Sequence, residues 1–113
     1  MHELSILMEV IKTVERQSAD FEGQAVVGIV LEIGELSSVV PEYIKSYYPD
    51  AVQGTILENA ELTIESIKAI AQCKACNREF EIVTNRAVCP VCDNKEIKVL
   101  NGREFLIKEI AVE

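Results

Sequence analysis

Leu4, Leu7, Met8, Ile11 and Val14 recur at the spacing of one helix face. Lys12, Glu15, Arg16 and Gln17 fall on the polar side. The spacing predicts a helix from about Leu4 to about Ala19, with Gly23 suited to stop it. AVVGIVLEIGE then changes period. Val27, Ile29, Leu31 and Ile33 alternate with Val26, Gly28, Val30 and Glu32, and the β-branched content favours a strand ending at Gly34. SSVVPEYIKSYYPD reads as a second helix. Ser37 or Ser38 can cap it, Pro41 suits its first turn, and Ile44, Tyr47 and Tyr48 share a face. Pro49 should end or kink it, because proline cannot donate to the helical ladder.

ELTIESIKAI alternates again, and its apolar phase shifts at Ile67 and Ala69. Such a shift predicts a bulge or a change of partner strand. Residues 73–92 hold polar turns and one short apolar run, FEIV. After them, EIKVL and EFLIKEIAV flank Asn101-Gly102, a pair that supports the positive φ angles of a tight hairpin. The order predicts an α+β fold: two helices packed on a small three-stranded sheet, with an inserted zinc-ribbon-like module of four cysteines. Residues 1–70 plus 102–113 would form the α+β domain and residues 71–101 the module.

Composition narrows the function. The chain has 113 residues, 49% of them hydrophobic, which suits one compact domain or one domain with an appendage. Net charge is −8, so attraction to phosphate backbones or an anionic membrane surface is not expected. No apolar run has the length of a membrane span, and the start does not read as a secretory signal. A cytoplasmic location is the expectation. There, four cysteines suit metal binding better than structural disulfides.

The cysteines come as Cys73-Lys-Ala-Cys76 and Cys89-Pro-Val-Cys92, with residues 77–88 between the pairs. Each CxxC can aim two sulfurs at one ion, and the intervening stretch is long enough for a hairpin to bring the pairs together. Four thiolates close a tetrahedral site with no open position, as in structural zinc sites. A mononuclear iron site would use similar ligands, and redox-active disulfides are a third reading.

The sole histidine is His2. A lone histidine near a terminus is usually a solvated side chain. Yet a free α-amine, the amide nitrogen of residue 2 and the imidazole can chelate one ion through adjacent small rings. Glu3 can add a donor through its amide nitrogen or its carboxylate. A planar set with ionised amides favours Ni(II) or Cu(II) over Zn(II). The imidazole binds only when neutral, so acid weakens the site.

Read together, these features resemble the HypA/HybF family of hydrogenase-maturation nickel chaperones. The likeness runs through MHELSI at 1–6, LEIGELS at 31–37, Pro41-Glu42, Gly54-Thr55, the two CxxC pairs with CPxC in the second, and Gly102 followed by EFLIKEIAVE. The resemblance implies nickel carried at Met1, His2 and Glu3, the last as a ligand or as a contact just outside the ligand set. It implies structural zinc at Cys73, Cys76, Cys89 and Cys92. It implies delivery of Ni(II) to the [NiFe]-hydrogenase large subunit, and in some organisms service to urease. The implied partners are a maturation GTPase of the HypB type and that large subunit. Members occur as monomers and dimers, so a homodimer is a further option.

The sequence departs from the family pattern at two places. Pro49 falls inside a helix that is usually uninterrupted. Where some members carry an aspartate after the Gly-Glu-x-Ser segment, this chain continues Ser38, Val39 and Val40, which leaves Glu35 or Glu42 to stand in. The competing reading is a zinc-ribbon interaction module with an inert terminus. An enzyme is not expected: there is no histidine beyond position 2, no phosphate loop, and the cysteines are committed to metal.

Overall fold

The computed structural model describes residues 2–113. Helix α1 spans Glu3–Arg16 and is followed by a 3₁₀ turn, Ser18–Phe21. Strand β1 is Val26–Gly34, helix α2 Pro41–Ala51 and strand β2 Glu61–Ile67. Strands β3 (Ile70–Cys73), β4 (Glu79–Glu81), β5 (Ile97–Asn101) and β6 (Phe105–Val112) complete the α+β fold. Among the described residues two three-stranded sheets form, ordered β2-β1-β6 and β4-β3-β5. No helix among the described residues is long and apolar enough to cross a membrane.

The chain divides into two compact units. The first comprises residues 1–32, 39–65 and 106–113. The second comprises residues 33–38 and 66–105.

In the first unit, Leu7, Val10, Ile11 and Val14 of α1 are buried, with Ile44 and Tyr48 of α2 and Val26, Ile29 and Leu31 of β1. From Gly28 to Ile33 β1 alternates as its sequence predicts, with Ile29, Leu31 and Ile33 buried, but at its start the order reverses, Val26 being buried and Val27 only partly so. The buried stripe of α1 is rotated from the predicted one. Leu4 and Met8 remain 46% and 47% exposed, while Val10 and Glu3 are buried. The stripe 3, 7, 10, 14 is also helical in period, and burying Glu3 selects it over the stripe through Leu4 and Met8. Helix α1 ends at Arg16, short of Ala19, and Glu22 and Gly23 both take positive φ (53° and 80°) as the chain turns toward β1.

Neither Ser37 nor Ser38 caps α2. Its N-cap is Val40, in extended conformation and without a side-chain cap, and Pro41 opens the helix as expected. Pro49 does not end it, since the helix runs on to Ala51. Only two helical residues follow Pro49, so the bond that its missing N–H removes lies in the last turn. The Tyr48 hydroxyl donates to Ala60 O at 2.9 Å and fixes the path from α2 to β2; burial pushes its pKa up. Ala25 and Glu113 exchange backbone bonds of 3.0 and 2.9 Å, the mark of antiparallel pairing, beside the β1–β6 edge.

In the second unit the phase shift after Ile67 proves to be a change of partner. Strand β3 pairs antiparallel with β4 and with β5. A small core of Ala69, Ala71, Cys73, Phe80, Ile82 and Cys89 forms, with Ile97 and Val99 packed against it. The predicted Asn101-Gly102 hairpin does not form, because β5 pairs with β3 while β6 lies beside β1. Gly102 does take positive φ, 115°, but for a close crossing: a Cβ there would stand 2.5 Å from the Ala69 Cα. Leu36 N–H donates to Gly102 O at 2.7 Å, and Ala69 N–H to Glu35 Oε1 at 2.8 Å. Gly102 N–H donates to Glu104 Oε1, a bond that holds the Glu104 carboxyl below its usual range.

Candidate metal centres

The cysteine site is built from two turns of the same design. In the first, Asn77 N–H donates to Cys73 O at 2.9 Å and Cys73 N–H donates to Arg78 O at 2.9 Å. In the second, Asp93 N–H donates to Cys89 O at 2.9 Å and Cys89 N–H donates to Asn94 O at 3.0 Å. The residue after each second cysteine takes positive φ, 63° at Asn77 and 61° at Asp93. Asparagine and aspartate tolerate that conformation better than most side chains. The repeated turn is what lets two residues between cysteines aim both sulfurs inward.

All four Sγ atoms lie within 4.8 Å of one another. Cys73 Sγ is 3.5 Å from Cys92 Sγ, and Cys76 Sγ is 3.6 Å from Cys89 Sγ. These are not disulfide distances. A tetrahedral ion with metal–sulfur bonds of about 2.3 Å spaces its ligands about 3.8 Å apart, so the cluster fits a tetrathiolate site. Ala75 and Cys76 N–H groups point at Cys73 Sγ at 3.4 and 3.5 Å. The Cys76 amide, opposed by burial and helped by the Ala75 amide, holds the Cys73 thiol down at about 6. At Cys92 the Asn94 amide works to lower the pKa, but proximity to Cys73, burial and the other sulfurs outweigh it and push the thiol up to about 12. Four clustered sulfurs cannot all ionise at neutral pH without a cation among them, which is the electrostatic case for a metal.

Asn94 belongs to the site although nothing in the CxxC spacing points to it. Its side-chain amide donates to Cys73 Sγ at 3.7 Å and to Glu96 O at 3.2 Å, and its carbonyl serves the second turn. The Asp-Asn pair directly after Cys92 is the only signal of it, as a turn marker.

At the other candidate site, Met1 lies outside the described residues. His2 is the N-cap residue of α1 and is exposed. Ile6 N–H donates to His2 O at 3.0 Å, the first rung of the helix. Glu3 is 1% exposed, and its Oε2 accepts the Val40 N–H at 3.0 Å. The N-terminal ammonium, and after it the Val40 amide, hold the Glu3 carboxyl down at about 2. Of the two carboxylates that could stand in for an aspartate, Glu35 is engaged elsewhere, while Glu42 is exposed in a solvent-facing pair. Glu35 accepts from Ala69, and Glu42 sits 3.7 Å from Lys45 Nζ.

The chain has clear relatives. A family model described as hydrogenase/urease nickel incorporation, metallochaperone, HypA matches residues 1–112. A hydrogenase maturation factor HypA from Geobacter sp. (strain M21) is 39% identical over 113 residues, covering 100% of both chains. One from Chlorobium limicola is 37% identical, covering 100% of this chain and 97% of its own. The solution structure of the Ni metallochaperone HypA from Helicobacter pylori shares the fold, with a TM-score of 0.68 at 23% identity over 99% of this chain and 97% of that one. Whole-length agreement in sequence, a shared fold and a tetrathiolate cluster converge: the chain belongs to the HypA family of metallochaperones for nickel incorporation into hydrogenase and urease.

Proposed function

We propose that this protein takes up Ni(II) at Met1, His2 and Glu3 and helps deliver it to the [NiFe]-hydrogenase large subunit, while Cys73, Cys76, Cys89 and Cys92 hold a structural Zn(II). The observation that carries the reading is the exposed His2 at the head of α1, in a chain that matches the HypA family from residue 1. Nickel would take the Met1 amine, the His2 amide nitrogen and the His2 imidazole, all within one short chelate. The helical ladder starts at Ile6 N–H, so metal–amide bonds at His2 or Glu3 displace none of its rungs. The Glu3 carboxylate already serves Val40 N–H, which favours the Glu3 amide nitrogen as the further donor. An exposed chelate of this kind can release its ion to a partner, as a carrier must.

The zinc centre differs in kind. A closed tetrathiolate leaves no position for substrate and acts by holding the two turns together. The protein is then a carrier without turnover, working in the cytoplasm with a GTPase of the HypB type. Service to urease follows the same chemistry, since both clients receive Ni(II).

Calorimetric Ni(II) titration tests the reading on three proteins: the native chain, His2→Ala, and a variant with one residue added ahead of Met1. The native chain should bind one nickel, and both variants should bind at least ten-fold more weakly. Zinc content should stay at one equivalent in all three. Equal nickel binding by all three would overturn the terminal site.

A further inference from the structure

The four sulfurs of the second unit are not equivalent. Cys73 and Cys89, the first of each turn, are fully buried, while Cys76 and Cys92 are exposed. Two close sulfur contacts run between turns, and each joins the sulfur of an exposed residue to that of a buried one: Cys92 to Cys73 at 3.5 Å and Cys76 to Cys89 at 3.6 Å. Cys92 also lies beside Cys89 of its own turn and beside Cys76. Within the first turn, the Ala75 and Cys76 amides are already spent on Cys73 Sγ. A bond between Cys73 and Cys76 would have to rebuild that turn.

The geometry points to a peroxide-sensitive modification site, in which oxidation expels the zinc and ties the same two turns together by Cys73–Cys92 and Cys76–Cys89 disulfides. This rests on the tetrathiolate zinc reading above. An exposed thiolate, at Cys76 or Cys92, attacks one oxygen of hydrogen peroxide. The O–O bond breaks, hydroxide leaves, and the sulfur becomes a sulfenic acid. The buried thiolate facing it from the other turn attacks that sulfur, the S–O bond breaks, and a second hydroxide leaves. Each disulfide thus consumes two thiolates, one peroxide and two protons and yields two waters. Sulfur supplies two electrons to the peroxide. Two such events remove all four ligands, so one zinc ion is released for about two peroxides.

The exposed member of each pair is the one peroxide can reach, and the buried member is placed to resolve it before further oxidation. Because both links cross between turns, the oxidised form keeps the tie that zinc provides. Thiol reductant and zinc would restore the starting state.

The experiment treats the zinc-loaded full chain with hydrogen peroxide from zero to four equivalents. Released zinc is read with a chromogenic chelator, cysteine pairing by peptide mass spectrometry without reduction, and amide exchange by mass. Zinc release should be complete near two equivalents. Peptides should carry Cys73–Cys92 and Cys76–Cys89, and exchange in residues 70–73 and 97–101 should stay within about ten-fold of the zinc form. Pairing within CxxC, conversion of the cysteines to sulfonic acids, or exchange as fast as in reduced chain stripped of zinc would each overturn the proposal. Zinc retained at four equivalents would overturn it too. A starting preparation with no zinc would instead overturn the metal assignment, and pairing in that preparation would still test the cross-turn geometry.

Discussion

The two units of this chain differ in charge and in what holds them. The first has 13 acidic and four basic residues, a formal charge of −9; the second has six and seven, +1, and together they give the −8 of the whole. The first buries long apolar side chains such as Leu7, Ile29, Leu31, Ile44 and Leu57. The second buries a smaller set in which two of six members are cysteines. The acidic unit carries the proposed site for a divalent cargo and is organised by apolar burial. The other holds its sulfurs in place with hydrogen-bonded turns and needs a cation among them. The contrast fits the proposed reading, with reversible cation capture in the first unit and a resident ion in the second.

Removing the zinc should break this contrast most severely. Structural zinc contributes on the order of 10 kcal/mol to small metal-organised folds. In Cys76→Ser, zinc should fall below one equivalent, and amide protection in residues 70–101 should drop by several orders of magnitude. Protection in α1 and α2 should persist, because their apolar stripes lie in the first unit. One cooperative loss across the whole chain would show the units to be a single folding element.

The converse change is smaller. Leu7 is fully buried, and Leu7→Ala should cost about 2–5 kcal/mol in denaturant unfolding of the first unit. Zinc content should remain at one equivalent; its loss would contradict separate stabilisation. Smaller again is Tyr48→Phe. It removes the hydroxyl bond to Ala60 O and should cost about 1 kcal/mol.

The smallest expected effect is a pH effect in the second unit. The Glu104 carboxylate accepts the Gly102 N–H, and its folded pKa lies below the unfolded one. Its contribution is therefore present above the ordinary carboxylate pKa and is lost as pH falls through the lowered value. Gly102 amide exchange, corrected for its intrinsic pH dependence, should accelerate over that window in the native chain. Glu104→Gln should flatten the acceleration. An unchanged profile in the variant would remove Glu104 as its cause.

What the sequence discloses follows the range of each interaction. The cysteine site is legible because each CxxC is local and its turn residues, Asn77 and Asp93, follow directly. Strand β1 is legible because its alternation holds from Gly28 to Ile33, although the order of Val26 and Val27 is the reverse of the predicted one. The rotation of α1 is not, since Leu4 and Met8 fit a helix face as well as Val10 does, and the choice depends on Glu3 meeting Val40 across 37 residues. The Asn101-Gly102 turn misleads because positive φ at Gly102 serves two ends, and only the approach of Ala69 tells a crossing from a hairpin. Pro49 misleads because the rule against internal proline weakens in a final turn.

X-ray absorption at both metal edges, on chain loaded with one nickel and one zinc, tests the division of metals most directly. The nickel edge should show only nitrogen and oxygen neighbours, in the short shell of a planar site, and the zinc edge four sulfurs at about 2.3 Å. Sulfur in the nickel shell, or fewer than four sulfurs around zinc, would contradict the assignment of nickel to the head of α1 and zinc to the cysteine turns.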